Sequence, residues 1–244
     1  MLHFQTWQQG APNAPILIFI PGFLSETSQA TGIHTWRKGI RRFTRNKSFT
    51  CADLVWESES LFSALTPLLN IHSDPTEMLK VWRNAKAKAR ETATALSNKL
   101  QEMQGCVHVV GHSLGATIGL NAAAQLARSS TKLKSLTLMA PAVRQSEFPA
   151  QDIAAGVQTK PAIFYSRRDM TLMCLFGLAS APDVVKSKNA LNYINQILSS
   201  RLQDPAVGVA GYQSQDASQH DVTPLLHFQY APKVANILEM SNIR

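Results

Sequence analysis

The stretch Val107-His108-Val109-Val110-Gly111-His112-Ser113-Leu114-Gly115-Ala116 decides the fold. Its first half is an apolar run rich in β-branched residues, which favours a buried strand. A pattern of small residues, typical of a closely packed helix, starts directly afterwards. Between the two lies Gly-His-Ser-Leu-Gly, a match to G-x-S-x-G, in which a sharp strand-to-helix turn exposes a serine above a sheet. The stretch therefore predicts an α/β fold with Ser113 at its centre.

The chemistry of Ser113 explains the glycines around it. A serine hydroxyl is a weak nucleophile, so it must stand clear of the sheet where a base can reach it. The sharp turn achieves this with a strained serine backbone. Gly111 and Gly115 lack side chains, which lets the strand and the helix approach each other closely. Because a chance pentapeptide rarely has a strand before it and a helix after it, we interpret Ser113 as a nucleophile.

Length and composition indicate a globular protein. The chain has 244 residues, of which 45% are hydrophobic and 16% charged, and we expect a single domain over residues 1–244. The first residues show no basic region followed by a long apolar run, and the run at 16–20 is too short to span a membrane. We therefore expect no export signal and no transmembrane helix. Three cysteines match no zinc or CxxC pattern, and their odd number argues against a disulfide framework. This favours a reducing, cytoplasmic location.

The net charge is +8, and many of the basic residues lie in two segments, residues 37–47 and 80–90. A basic surface of this kind suits an anionic membrane, nucleic acid or an acidic substrate. No aromatic interleaving and no nucleic-acid motif accompany the charge, so we expect no nucleic-acid partner and favour solvated helix faces. Peripheral contact with an anionic membrane is kept as an alternative.

Predicted strands and helices alternate along the chain. Strands are predicted at residues 2–7, 16–20, 49–56, 107–111, 133–140, 162–166 and 207–212. Helices are predicted at residues 35–43, 74–105, 114 to about 128, 190–202 and 232–240. Such alternation predicts a mainly parallel central sheet with helices on both faces. Residues 57–71 fit either an insertion capping the site or ordinary packing.

Asp169 is the favoured orienting acid. In this architecture the acid and the base follow the serine in that order, each in a loop at the carboxyl end of a strand. Asp169 comes directly after the strand predicted at 162–166. The alternative is that it caps a helix starting near Thr171. Asp183 lies beyond a long apolar stretch, and Asp152 precedes the strand, so both are less well placed.

Two histidines compete for the role of base, and both follow the strand predicted at 207–212. His220 is expected in a polar loop, whereas His227 lies just ahead of the terminal helix, where the base typically enters such a site. We favour His227 and keep His220 as the alternative. Asp221 is a candidate to orient one of them. His112, inside the turn, is expected to pack nearby rather than to act as the base.

Two backbone N–H groups are candidates for the oxyanion hole. One belongs to Leu114, directly after the nucleophile. The other is expected in the loop Pro21-Gly22-Phe23 after the strand at 16–20, with Phe23 favoured and Leu24 second. The alternative is a plain turn in that loop.

These motifs resemble the α/β-hydrolase superfamily over nearly the whole chain. The tail is similar to a little-characterised esterase- or lipase-like branch with a Tyr-Ser-x-x-Asp segment and a late Asp-Val-Ser/Thr…His-x-x-Tyr segment. Here these read Tyr165-Ser166-Arg167-Arg168-Asp169 and Asp221-Val222-Thr223…His227-Phe228-Gln229-Tyr230. The likeness strengthens His227 over His220. It implies an α/β-hydrolase fold trimmed at its N-terminal strands. Pro21 departs from the family, which has a histidine before the glycine of the oxyanion loop.

The resemblance implies a serine hydrolase that cleaves a carboxylic ester through a Ser-His-Asp triad and an acyl-enzyme, with lipid esters and thioesters among the candidate substrates. Protein groups and water suffice for this chemistry, so we expect no cofactor and no metal. Apolar residues near the site suit either an acyl pocket or the core: Phe23, Leu24, Leu61, Phe62, Leu172 and Phe176. The alternative function is a catalytically silent scaffold that binds a ligand or a membrane surface. The intact Ser, Asp and His set argues against it.

Overall fold

The computed structural model describes residues 2–22, 32–56, 75–173, 176, 204–212, 215–223, 225–241 and 243, with the backbone alone at 75–79. Several sequence predictions lie outside the described residues. They are the segment 57–71, the helix at 190–202, the oxyanion candidates Phe23 and Leu24, the apolar residues Leu61 and Phe62, and the alternative acid Asp183.

A seven-stranded sheet forms the centre of the molecule, in the order β1-β3-β2-β4-β5-β6-β7. The strands are β1 (His3–Gln8), β2 (Ile16–Ile20), β3 (Thr50–Val55), β4 (Val107–His112), β5 (Ser135–Met139), β6 (Ala162–Tyr165) and β7 (Ser218–Asp221). Strand β1 pairs antiparallel with β3, and each of the other pairs is parallel. Ahead of β2 the described residues hold this one antiparallel strand.

Helices cover both faces of the sheet. They are α1 (Ile33–Thr44), α2 (Pro75–Glu102), α3 (Leu114–Leu126), α4 (Ala150–Ala155), α5 (Val207–Ala210) and α6 (Tyr230–Met240). Helix α2 packs against α3, and α1 packs against α6. Right-handed crossovers in opposite directions along the sheet put these two pairs on opposite faces. The architecture is that of the α/β-hydrolase fold predicted from the sequence. Within the described part of the chain, none of the helices combines the length and the apolar character needed to cross a bilayer.

Burial follows the hydrophobic pattern of the strands. Leu17, Ile18, Phe19 and Ile20 of β2 are fully buried, as expected for a continuous apolar strand between two helical layers. Strand β1 lies at the edge of the sheet and leaves half of its side chains exposed. The central strands therefore carry the core, and their carboxyl ends meet at one edge, where the candidate site lies.

The prediction of a last strand at 207–212 is wrong. Residues Val207–Ala210 form the short helix α5, and Ser218–Asp221 form the last strand. Gly208 of this helix lies against the backbone of Ala140, just after β5, where a Cβ would come within 2.5 Å of the Ala140 carbonyl carbon. The backbone N–H of Gly208 donates to the carbonyl of Pro141 at 3.0 Å. These contacts hold the segment beside the sheet rather than in it.

Helix α3 lies very close to the end of β2. A Cβ at Gly115 would collide with the carbonyl oxygens of Ile20 and Pro21, which are rigid backbone atoms. One turn later, a Cβ at Gly119 would lie 3.2 Å from a methyl group of Val109, so a shift of a few tenths of an ångström would relieve the contact. The two glycines therefore differ in what they tolerate, although they share one helix.

We predict that Gly115→Ala lowers the free energy of unfolding by about 2 kcal/mol or more, because overpacking against backbone cannot relax. Gly119→Ala is the matched control and should stay within about 1 kcal/mol of the wild type, since helix propensity favours alanine. Urea denaturation of the three proteins measures this. Equal stability of the two variants would contradict the packing described here.

His108 makes stability depend on pH. Its ring is fully buried in β4, and Nδ1 lies 2.7 Å from Oγ of Ser135. Burial, with a smaller contribution from the charge of Lys134, lowers the pKa of His108 from 6.5 to about 4. Between these two pH values His108 is protonated in the unfolded chain and neutral in the folded protein. Acidification through this range therefore favours unfolding.

We predict that acidification from about pH 7 to about pH 4 costs the wild type on the order of 2 kcal/mol more stability than it costs His108→Gln. The measurement is the urea unfolding free energy of both proteins at several pH values. Parallel curves for the two proteins would show that His108 is not held neutral in the fold.

Candidate active site

Ser113 occupies a strained turn between β4 and α3. Its φ is 54° and its ψ is −122°, a conformation that non-glycine residues rarely adopt. Such strain costs on the order of 1–3 kcal/mol and persists only where the surroundings enforce it. The turn matches the sequence prediction, and the Ser113 residue is 4% exposed at the carboxyl edge of the sheet.

Three backbone hydrogen bonds enforce this conformation. The N–H of Ser113 donates to the carbonyl of Met139 at 2.9 Å, which joins the turn to the end of β5. The carbonyl of Ser113 accepts from the N–H of Ala142 at 3.3 Å and from the N–H of Thr117 at 3.2 Å. The neighbouring strand and the first turn of α3 therefore both fix the backbone of the serine.

Asp169 and His227 meet at this edge although they are far apart in sequence. Oδ2 of Asp169 accepts a hydrogen bond from Nδ1 of His227 at 2.7 Å. The carboxylate is fully buried, and His227 is 4% exposed. Since a buried carboxylate accepts, Nδ1 carries the proton, and a neutral ring then has its lone pair on Nε2. This is the tautomer that a general base needs.

The second carboxylate oxygen of Asp169 has a different partner. Oδ1 accepts from the backbone N–H of Leu172 at 3.0 Å, at the start of the helical residues 170–173. The capping role weighed in the sequence therefore exists, and it leaves the other oxygen for His227. Capping fixes the carboxylate, which in turn fixes the imidazole.

A short turn presents His227 to Asp169. Residues His227–Gln229 form a 3-10 turn that leads directly into α6. The side chain of Gln229 closes this turn, because its Oε1 accepts from the backbone N–H of Leu226 at 2.9 Å. His227 therefore enters just before the terminal helix, in the place predicted for the base.

His220 lies elsewhere, and the prediction that it sits in a polar loop is wrong. It is a residue of β7, where it pairs with Phe164 of β6 and stacks its ring on that side chain at 4.5 Å. Burial lowers the pKa of His220. Its Nε2 has no hydrogen-bond partner among the residues that the structure describes. The contacts of His220 are those of a packed strand residue.

Asp221 does not contact either histidine through its carboxylate. Oδ1 accepts from the backbone N–H of Thr223 at 2.9 Å, and Oδ2 lies 3.4 Å from Nε of Arg167. Hydrogen bonding by the Thr223 side chain first, then by its backbone N–H, and the charge of Arg167 lower the pKa of Asp221. Asp221 therefore closes a turn after β7 rather than orienting an imidazole.

The loop after β2 lies against Ser113. A Cβ at Gly22 would come within 2.8 Å of Cβ of Ser113 and 2.9 Å of Nδ1 of His112. The indole Nε1 of Trp56, just after β3, donates to the carbonyl of Pro21 at 3.0 Å and holds this loop. Sequence reasoning missed Trp56, because a buried tryptophan gives no signal of its hydrogen-bond partner. Leu114 is the first residue of α3, so its N–H has no acceptor within the helix.

His112 is buried, as expected from the sequence, and packs its ring against Trp36 at 4.9 Å. Its Nε2 lies 3.1 Å from the backbone carbonyl of His227. Leu172 and Phe176, weighed as pocket or core, are buried, and Phe176 packs against Trp82 of α2 at 5.7 Å. In the part of the chain described, no three His, Cys, Asp or Glu side chains cluster as metal ligands would.

Several solved structures match almost the entire chain at low identity and with TM-scores below 0.5. Alpha/beta hydrolase domain-containing protein 10 from mouse is 11% identical, with 98% of this chain and 92% of that chain covered and a TM-score of 0.46. Est1E from Butyrivibrio proteoclasticus is 10% identical, with 98% and 91% covered and a TM-score of 0.46. XC6422 from Xanthomonas campestris, described as an α/β serine hydrolase without lid, is 13% identical, with 98% and 86% covered and a TM-score of 0.44. A comparison with curated proteins finds no match.

A family model described as serine hydrolase matches residues 75–221. The matched range includes Ser113 and Asp169 and ends before His227. It spans more than half of the chain and contains the strand-turn-helix around the strained serine. The chain therefore belongs to the serine hydrolase family.

Proposed function

We propose that the protein hydrolyses carboxylic esters, with Ser113 as nucleophile, His227 as general base and Asp169 as the acid that orients it. The observation that carries the proposal is the buried 2.7 Å hydrogen bond between Asp169 and His227. It lies at the same edge of the sheet as the strained turn of Ser113. A buried acid-histidine pair at the same edge of the sheet as a serine in a strained strand-to-helix turn is the arrangement that activates a hydroxyl.

In the first step, Oγ of Ser113 attacks the ester carbonyl carbon, and Nε2 of His227 takes the hydroxyl proton. Asp169 stays ionised and stabilises the imidazolium that forms. The carbonyl oxygen becomes an oxyanion, for which the N–H of Leu114 is one donor and the N–H of Phe23 the predicted second. When the tetrahedral intermediate collapses, His227 returns the proton to the alkoxide, and an alcohol leaves.

The second step reverses the roles with water. Nε2 of His227 removes a proton from water, and the hydroxide adds to the acyl carbon. Collapse of this second intermediate breaks the bond to Oγ of Ser113, which recovers its proton from His227. The products are a carboxylic acid and an alcohol, and the protein is regenerated.

We predict that a fluorophosphonate probe labels the wild type and fails to label Ser113→Ala. Labelling of His227→Ala and of Asp169→Asn should fall by about 1,000-fold or more, because the base is lost in one and wrongly oriented in the other. The measurement is the second-order labelling rate. Circular dichroism checks that each variant is folded.

His220→Ala distinguishes the two candidate bases. It should retain the labelling rate of the wild type within about threefold, because its ring packs on Phe164 and not at the site. Loss of labelling in His220→Ala with retention in His227→Ala would contradict the assignment of the base. A folded wild type that reacts with no probe, with or without vesicles, would favour the silent scaffold.

The rim of the site points to esters with an apolar acyl chain. Three large apolar side chains flank the acid and the base and remain exposed, namely Met170 at 56%, Leu226 at 46% and Phe228 at 39%. Two exposed cations, Arg167 and Arg168, precede Asp169 in the same loop. Apolar side chains can contact the hydrocarbon chain of an anionic amphiphile, and the neighbouring cations can pair with its head group. We therefore propose lipid-like esters as substrates, with peripheral contact at an anionic membrane.

We predict that the double variant Leu226→Ser/Phe228→Ser lowers the preference for long-chain over short-chain p-nitrophenyl esters about tenfold, since about two methylene groups of contact are lost. Met240→Ser is the matched control, because Met240 is 49% exposed at the far end of α6. The ratio of kcat/KM values measures the preference. Equal ratios in both variants would contradict an apolar rim.

Sedimentation with phosphatidylglycerol vesicles tests the membrane contact. Binding should occur at low salt, weaken at high salt and weaken further in Arg167→Gln/Arg168→Gln. No sedimentation at low salt would remove the membrane from the proposal and leave dispersed esters as substrates.

A cytoplasmic location remains part of the proposal. The described cysteines, Cys51 and Cys106, are both free thiols. Free thiols suit a reducing compartment. Fractionation of cells expressing the protein tests this, and recovery from an oxidising compartment would contradict it.

A further inference from the structure

His112, the last residue of β4, connects the turn of Ser113 to the loop of the base without belonging to the triad. It is covalently next to Ser113, and its Nε2 lies 3.1 Å from the backbone carbonyl of His227. Its ring packs against three aromatic neighbours: His227 at 4.7 Å, Trp36 at 4.9 Å and Tyr230 at 5.6 Å. The side chain is therefore fixed in one orientation, with Nε2 directed at the loop of the base.

The partner of Nε2 decides the tautomer of His112. A carbonyl oxygen only accepts hydrogen bonds, so Nε2 carries the proton and donates it. Nδ1 has no hydrogen-bond partner among the described residues and faces the backbone of Gly22. Burial first, and then the charge that His227 can carry, hold the pKa of His112 well below its ordinary value. The ring therefore stays neutral and adds no charge beside the base, while Nε2 keeps the proton that the carbonyl accepts.

We propose that His112 is a positioning residue, an inference that rests on the proposed hydrolysis. By donating a hydrogen bond to the main-chain carbonyl of His227, it holds this base at the correct distance from Ser113.

Two independent bonds then fix the base. Asp169 holds the side chain of His227 through Nδ1, and His112 holds its backbone through the carbonyl. The second bond joins the base to the residue next to the nucleophile, so the distance between the two reacting groups depends on it. The turn at His227–Gln229 has its own bond from Leu226 to Gln229, but this bond is local and does not reach the sheet. The bond from His112 supplies the connection to β4.

Two variants of nearly equal length and volume separate the donor from the ring. His112→Gln keeps an N–H donor within reach of the carbonyl, and His112→Met does not. Both lose the aromatic contacts equally. We expect kcat and the fluorophosphonate labelling rate of His112→Met to fall about 10- to 100-fold below those of His112→Gln, because small displacements of a base are costly. KM should be the same in both, since His112 lies behind the base and not in contact with substrate.

His108→Met is the matched control for loss of a buried histidine. His108 lies on the same strand, is buried and has its own hydrogen bond to Ser135, at 2.7 Å, but has no contact with the base. We expect this variant to lose stability and to keep kcat within about threefold of the wild type. Equal kcat in His112→Gln and His112→Met would overturn the proposal, because the donor would then have no effect.

A backbone variant covers the case in which His112→Met does not fold. Replacing the peptide bond between His227 and Phe228 by an ester, through ligation of the C-terminal segment, weakens the carbonyl of His227 as an acceptor without changing a side chain. We expect kcat to fall about 3- to 10-fold with KM unchanged. An unchanged kcat in this protein would overturn the proposal.

Failure of the underlying function gives a different result. If the wild type does not react with the probe, or His227→Ala reacts as fast as the wild type, the triad is wrong and the role of His112 falls with it. If the triad variants behave as expected and the His112 variants are equal to each other, only the positioning role is wrong.

Discussion

The site depends on the carboxylate of Asp169, which is fully buried and therefore requires hydrogen-bond donors for both of its oxygens. An unpaired charge in the interior is strongly unfavourable. Removing one partner of a buried ion pair therefore typically costs about 3–5 kcal/mol of stability. One oxygen is satisfied by the N–H of Leu172 and the other by Nδ1 of His227. The carboxylate therefore joins the loop after β6 to the turn before α6. This bond between distant segments brings the imidazole to the edge of the sheet.

A second constraint sets the position of the serine. Gly115 allows α3 to lie against the carbonyl oxygens at the end of β2, and the turn between β4 and α3 is correspondingly sharp. The N–H of Ser113 donates to the carbonyl of Met139, and the N–H of Ala142 donates to the carbonyl of Ser113, and both bonds hold the strained backbone in place. Close packing and backbone pairing thus fix the nucleophile, while a buried charge fixes the base. His112 connects the two, because it precedes Ser113 in the chain and its Nε2 is hydrogen-bonded to the backbone carbonyl of His227.

Much of the fold was predictable because buried strands carry apolar runs, as β2 and β6 show, and strong periodicity marks the long helix α2. The prediction of a strand at 207–212 was wrong because a short run of small and β-branched residues, here Val207–Ala210, fits a buried strand and a buried helical turn equally well. Strand β7 escaped prediction because its polar residues, Ser218–Asp221, lie half-buried at the edge of the sheet. The G-x-S-x-G motif indicated Ser113, and chain order with local context indicated Asp169 and His227. The bond from His112 to a backbone carbonyl leaves no trace in sequence, since a carbonyl has no residue identity.

The central claim is that a buried carboxylate of Asp169 holds the Nδ1 proton of His227. Proton NMR of the folded protein tests it most directly, because a proton in a short imidazole–carboxylate hydrogen bond is strongly deshielded and protected from exchange with water. We expect one such resonance in the wild type, absent in Asp169→Ala and in His227→Gln and retained in His220→Gln. A folded wild type without this resonance, or its persistence in Asp169→Ala, would show that Asp169 does not hold this proton.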